Sequence, residues 1–104
     1  MEPENAAILS GGSIGTHLQM GIGDGLIPDN LNTDIYSDIC IITDEEALAT
    51  AKRLAREEGL MCGISSGTNV AAAIKMAKKL GKGKRVVTIL PDTGERYFST
   101  ELFE

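Results

Sequence analysis

The chain has no tryptophan and only two Tyr and two Phe, so any interior must be built from small aliphatic side chains rather than aromatic ones. One histidine, His17, and two cysteines, Cys40 and Cys62, fall short of the four ligands that a Cys/His zinc site needs, and no Cys-x-x-Cys pair occurs. Both cysteines sit in apolar runs and read as small core residues. Positive charge is also short: ten Lys and Arg stand against fifteen Asp and Glu, for a net charge of −5. That is the reverse of the basic footprint of a general nucleic-acid binder. The basic residues that exist cluster between Lys75 and Arg85, at a helix end and the turn after it, where cations complement the helix dipole. No apolar run is long enough to span a bilayer, and no signal-peptide pattern is present. These absences predict a reduced, cytoplasmic protein without a metal site, nucleic-acid partner or membrane anchor.

What remains is ordinary for a globular chain: 42% hydrophobic, 24% charged, with length for one small core. Glycine is abundant, at twelve residues. Much of it lies in residues 10–30, as Ser10-Gly11-Gly12, Gly21-Ile22-Gly23-Asp24-Gly25 and then Pro28. This is not a dinucleotide fingerprint, because no apolar strand leads into it and the third glycine is missing from its place. It reads as a long loop, and loops of that length tend to be functional.

Ile39-Cys40-Ile41-Ile42 is an unbroken apolar run, expected to form a strand buried on both faces as in a parallel sheet. Thr43-Asp44-Glu45-Glu46 follows as a capping box, with Thr43 as the cap and Glu46 reaching back. The helix it starts should run to Glu58 and stop at Gly59, with Ala47, Leu48, Ala51, Leu54 and Ala55 on one stripe. A second helix is expected from near Ser66 to Leu80, with Val70, Ala73, Ile74, Ala77 and Leu80 facing one way and Gly81 at its end. Arg85 to Leu90 is β-branched and apolar and is expected to form a second strand, ended by Pro91-Asp92. Ala6 to Leu9 fits either a short strand or a helical turn. Glu95 to Thr100 fits a short helix or turn, and Leu102-Phe103 could anchor the end. Strand, helix, helix and strand in that order predict the α/β class.

Gly63-Ile64-Ser65-Ser66-Gly67 stands where an apolar approach turns into this second helix. Two readings compete. Serine is a preferred N-cap, because its oxygen accepts a free N–H of the first turn. A helix N-terminus also holds ligands. A serine hydrolase is a poor fit, since neither a base nor an acid partner can be assigned to Ser65 or Ser66. In open α/β sheets, ligands sit at strand carboxyl ends and helix N-termini, so Ser65 and Pro91-Asp92 could line one pocket.

Three stretches together resemble a known family. Ser10-Gly11-Gly12, His17, Gly21-Ile22-Gly23, Gly25 and Ile27-Pro28 resemble a loop of the cysteine synthases (O-acetylserine sulfhydrylases). Glu57-Glu58-Gly59-Leu60 with Gly63 to Gly67 resembles their pyridine-binding segment, and Leu90 to Thr100 resembles their C-terminal signature. The resemblance covers nearly the whole chain. It implies part of the large domain of a tryptophan synthase β-like fold (pyridoxal phosphate fold type II), with parallel strands and flanking helices, and a chain that is one partial domain. The family uses pyridoxal 5'-phosphate to replace the acetoxy group of O-acetylserine by sulfide. By resemblance Ser65 faces the pyridine nitrogen, Pro91 and Asp92 lie near the ring, and Gly21, Ile22 and Gly23 border the active-site mouth. That mouth receives the C-terminal tail of serine acetyltransferase in the family. A homo-oligomer is expected.

The resemblance also implies what should be missing. The family's Schiff-base lysine sits in an Asn-Pro-Gly-Ser stretch, and its substrate-carboxylate and phosphate loops are separate patterns. None of these occurs here, and Lys52, Lys75, Lys78, Lys79, Lys82 and Lys84 lie in unrelated contexts. The chain is therefore expected to be a C-terminal fragment of such an enzyme, inactive alone, with no catalytic residue of its own and with exposed apolar sheet surface that favours self-association. Two alternatives stay open: a non-catalytic peptide-binding module, and a fragment of a cystathionine β-synthase-like enzyme, which shares the serine-helix segment.

Overall fold

The computed structural model describes residues 1–13, 15–19, 22, 23 and 25–97. Two short parallel strands and two long helices carry the architecture. Strand β1, Glu2–Pro3, pairs with β2, Ile41–Ile42, in the register Glu2 to Ile41 and Pro3 to Ile42. Single 3-10 turns occupy Glu4–Ala6 and Ile8–Ser10, so the turn alternative holds for the Ala6 to Leu9 stretch. The described part of residues 11–40 is loop, as the glycines predicted for residues up to 30, and it makes the long crossover that two parallel strands require.

Helix α1 spans Asp44–Glu58. The expected capping box is present in both halves: Glu46 N–H donates to Thr43 Oγ1 (3.1 Å) and Thr43 N–H donates to Glu46 Oε2 (2.9 Å). Gly59 ends the helix in the left-handed region, at φ 70°, where a side chain would be strained. Helix α2 spans Ile64–Leu80 and so begins two residues before Ser66. Its N-cap is Gly63, which has no side chain, so neither serine caps the helix.

The core is aliphatic and small, as the lack of aromatics required. Ile42, Ala47, Ala51, Ile64 and Ala71 form it, with Cys40, Leu48 and Ala72 packed against them. Burying Ile42 and Ile64 removes each side chain from water at a gain of roughly 1.5–3 kcal/mol. The face α2 turns to α1 is Ile64, Gly67, Thr68 and Ala71, not the expected stripe of Val70, Ala73, Ile74, Ala77 and Leu80. Gly67 decides this. A Cβ there would run into the Ala47 carbonyl oxygen and lie 3.0 Å from Ala51 Cβ. The helices therefore meet backbone to backbone at the one position without a side chain.

Two expectations about strands need correction. Only Ile41 and Ile42 of the 39–42 run pair, and Ile41 is exposed while Ile42 is buried, so the strand is covered on one face. Residues 85–90 form no strand. Val87 is 83% and Ile89 71% exposed. A strand exists only where a neighbour accepts its ladder, and none of the described residues does so here. The tie that does hold this segment is a side chain: Asn69 Nδ2 donates to the Ile89 carbonyl (2.8 Å). A 3-10 turn follows at Gly94–Tyr97, as expected, while residues 98–100 and Leu102-Phe103 lie outside the described residues.

Candidate active site

Residues 61–63, which lead into the helix of Ser65, and residues 92–94 come together through backbone pairing. Cys62 and Thr93 form an antiparallel bridge. Beside it Gly63 N–H donates to Asp92 O (3.2 Å) and Gly94 N–H donates to Met61 O (2.9 Å). These bonds dock residues 92–94 against the approach to α2, one or two residues from its first turn. A cleft of about 310 Å³ opens there, lined by Leu60, Met61, Cys62, Leu90, Pro91, Asp92 and Thr93.

The serines stand at the edge of this arrangement, in the first turn of α2, where backbone N–H groups and the dipole are positive. Ser65 is 6% exposed and Ser66 is fully buried. The Ser66 hydroxyl meets no hydrogen-bond partner of good geometry among the described residues. Its influence falls on the neighbouring Cys62. Burial pushes that thiol above its ordinary value, partly offset by Ser66 and by the local backbone, with the Asp92 charge adding to the rise. Buried and with its thiol pushed upward, Cys62 has the character of a core residue rather than of a nucleophile. His17 does not serve the serines either. Its Nε2 lies 3.0 Å from Gly23 O, and its Nδ1 accepts from Gln19 N–H (3.1 Å). With Nδ1 accepting, the tautomer that suits both contacts carries a proton on Nε2.

Ile22 and Gly23 occupy a different place. They line a hollow of about 220 Å³ with residues 1–9 and 25–31, including Glu2, Leu9, Gly25 and Leu31. Ser65, Pro91 and Asp92 do not line it. Gly21 lies outside the described residues. Gly23, at φ 63°, admits no side chain: a Cβ would come within 2.7 Å of Pro3 Cγ and 2.9 Å of His17 Nε2.

The loop and the serine helix are nevertheless joined, by a residue that the sequence did not single out. Gln19 is completely buried. Its Nε2 donates to Ile42 O (2.9 Å) and to Asp44 Oδ1 (3.0 Å), and its Oε1 accepts from Thr68 Oγ1 (2.8 Å). Leu18 N–H donates to the other Asp44 oxygen (3.1 Å). One amide therefore ties the loop to β2, to the start of α1 and to the first turns of α2. No periodicity marks Gln19, since its partners lie 23, 25 and 49 residues away. Gly67 did carry a signal, because a glycine inside a helical pattern points to close packing.

The residues fit one edge of a pyridoxal phosphate group. A buried hydroxyl at a helix N-terminus suits the ring nitrogen, and the adjoining cleft is largely apolar. No lysine lines that cleft. Among the described residues no cluster of His, Cys, Asp and Glu could hold a metal ion, and no helix is long and apolar enough to cross a membrane.

Comparison with known proteins gives one direction. The profile of the pyridoxal-phosphate dependent enzymes matches residues 1–92. The chain is 52% identical over 103 residues to a cysteine synthase of Staphylococcus aureus, covering 99% of this chain and 33% of that protein. The crystal structure of a cysteine synthase from Entamoeba histolytica superposes with a TM-score of 0.94 at 41% identity, over 98% of this chain and 30% of that one. An O-acetylserine dependent cystathionine β-synthase from Helicobacter pylori superposes with a TM-score of 0.87 at 40% identity, over 99% of this chain and 33% of that one. The chain thus spans about a third of the length of the relatives it matches. Its α/β fold agrees with the tryptophan synthase β-like expectation, and the chain belongs to the family of pyridoxal-phosphate dependent enzymes.

Proposed function

We propose that this chain is the C-terminal third of a cysteine synthase, one partial domain of an enzyme that makes L-cysteine from O-acetylserine and sulfide. The observation that carries the reading is the match to the Staphylococcus aureus cysteine synthase, which runs through this chain from end to end. The docking of residues 92–94 against residues 61–63, at the entry to the Ser65 helix, supports it, because it brings the Pro91-Asp92 stretch to the end of α2 that carries Ser65. So does the surface. The chain exposes 6968 Å², against roughly 5,600 Å² expected for a compact monomer of its mass.

Bound pyridoxal phosphate supplies the electron sink for breaking and remaking the bond at the substrate β-carbon. Ser65 offers a hydroxyl to the ring nitrogen. Unlike a carboxylate, a hydroxyl does not hold that nitrogen protonated, which moderates the sink and suits β-replacement. Pro91 and Asp92 would flank the ring, with Leu60, Met61 and Leu90 as the apolar border of the cleft. By resemblance the Gly21-Ile22-Gly23 loop would border the mouth in the longer protein, where the tail of serine acetyltransferase would dock, although Ile22 and Gly23 line a hollow apart from the Pro91-Asp92 cleft in this chain. The assembled enzyme is a cytoplasmic homo-oligomer.

The isolated 104-residue chain should be inactive and should self-associate. Adding pyridoxal phosphate to it and recording the near-visible spectrum tests whether this part alone holds the cofactor, and a lasting internal-aldimine band would overturn the expectation that it does not. The longer protein should form cysteine from O-acetylserine and sulfide. A second reading, a cystathionine β-synthase-like parent, draws on the Helicobacter pylori neighbour. Supplying homocysteine in place of sulfide to the longer protein separates the two.

A further inference from the structure

We infer that Gln19 is the positioning residue for Ser65, and that it sets Ser65 by holding the first turns of α2 to the glycine-rich loop. The inference rests on the reading of Ser65 as the partner of the cofactor ring. The geometry that carries it is the saturated amide. Both Nε2 hydrogens and Oε1 are engaged, by Ile42 O, Asp44 Oδ1 and Thr68 Oγ1, and neither Gln19 nor Thr68 touches solvent. The amide can therefore sit one way only. Nε2 must face the two oxygen acceptors, which leaves Oε1 to take the Thr68 hydroxyl proton.

Thr68 has one proton and two acceptors in reach, Gln19 Oε1 at 2.8 Å and Ile64 O at 3.3 Å. Ile64 is the first residue of α2 and the immediate neighbour of Ser65. A threonine hydroxyl that bonds back to the carbonyl four residues earlier bends a helix. While Gln19 takes the proton, that back-bond is weak and the first turn keeps its line. Without Gln19 the hydroxyl falls back on Ile64 O, and the peptide carrying Ser65 tilts. The chain of bonds continues outward: Gln19 N–H donates to His17 Nδ1, and His17 Nε2–H donates to Gly23 O. The loop that forms the second hollow is thus in register with the turn that presents Ser65.

The test uses the full-length holoenzyme carrying Gln19→Met, which keeps length and removes all three hydrogen bonds, alone and combined with Ser65→Ala. The expected result is a displaced near-visible band of the bound cofactor and a kcat lowered about tenfold, with KM for sulfide unchanged, as misplacement of a binding group costs turnover. In the Ser65→Ala background the further displacement on adding Gln19→Met should vanish. A wild-type spectrum and kcat with only a lowered Tm would make Gln19 structural glue and overturn the inference, as would a spectral shift of equal size with and without Ser65. Should Gln19→Met not fold, Gln19→Asn takes its place. It keeps an amide too short to reach Thr68, and the same two outcomes apply. If the wild-type holoenzyme makes no cysteine, the functional reading fails while the spectral comparison still decides the role of Gln19.

Discussion

The contact between α1 and α2 and the segment from residue 84 to residue 90 are both rich in small or branched apolar residues, yet only one has become an interior. At the helix contact, Ala47, Ala51, Ile64 and Ala71 close around Gly67, and every residue meets a partner. In the segment, Val87 and Ile89 stand in water and the backbone finds no ladder. A helix satisfies its own N–H and C=O groups and needs a neighbour for one face only. A strand needs neighbours for its backbone as well. The same degree of hydrophobicity therefore produces structure in one region and leaves it waiting in the other.

The largest effect that would break this contrast is a side chain at the helix crossing. Gly67→Val should cost about 3 kcal/mol in urea unfolding, the upper end for overpacking, because the obstacle is the Ala47 backbone. Gly59→Ala, at an open position where only the positive φ is strained, should cost about 1 kcal/mol. Equal costs would mean that the helices do not meet at Gly67.

Next in size is Gln19→Met, expected to lose about 2 kcal/mol in the same assay, because Ile42 O and the Thr68 hydroxyl lose a buried partner. A loss confined to a few tenths would place the loop outside the cooperative unit formed by the two helices.

The capping box at Thr43 gives a smaller effect with a distinctive pH dependence. Thr43→Ala should cost about 1 kcal/mol. The Glu46 carboxyl is held below its ordinary 4.5 first by a hydrogen bond from Lys75 and then by the Thr43 backbone N–H. Its folded value thus lies below its unfolded one. Its contribution is complete above pH 4.5 and is lost as pH falls through the lower folded value. Thermal melts across that acid range should show a shallower decline for Glu46→Gln than for the wild type. An identical decline would remove Glu46 from the acid response.

The smallest effect sharpens the other side of the contrast. Val87→Thr in the 104-residue chain should change stability by less than about 0.5 kcal/mol, as expected of an exposed site. In the longer protein proposed here, where a neighbouring strand would cover it, the same change should cost about 1–2 kcal/mol. Equal, near-zero costs in both would mean that nothing covers this segment.

Legibility followed the range of the forces. Helix α1 was readable to the residue at both ends, because Thr43, Glu46 and Gly59 act within one turn of themselves. The start of α2 was misplaced by two residues, because its cap is Gly63 and a glycine cap leaves no side-chain mark. The buried face of α2 was misjudged because the helix carries apolar residues on two sides, and only the approach of α1 chooses between them. Ser65, Pro91 and Asp92 were each visible as residues at an element end. What docks the stretch after Pro91 at the entry to the Ser65 helix is a set of backbone bonds between residues 61–63 and 92–94, which no local pattern encodes.

By itself, then, the sequence determined the two helices, the glycine-rich loop, the α/β class and the family resemblance, since these follow from periodicity, capping chemistry and motifs held within a few residues. Tertiary structure alone decided that a two-residue strand at Glu2–Pro3 exists, that residues 85–90 do not pair, and that Gln19 governs the junction of loop, strand and helices. Each of these needs two or more stretches, tens of residues apart, to supply the partner that a buried polar group or a strand edge cannot do without.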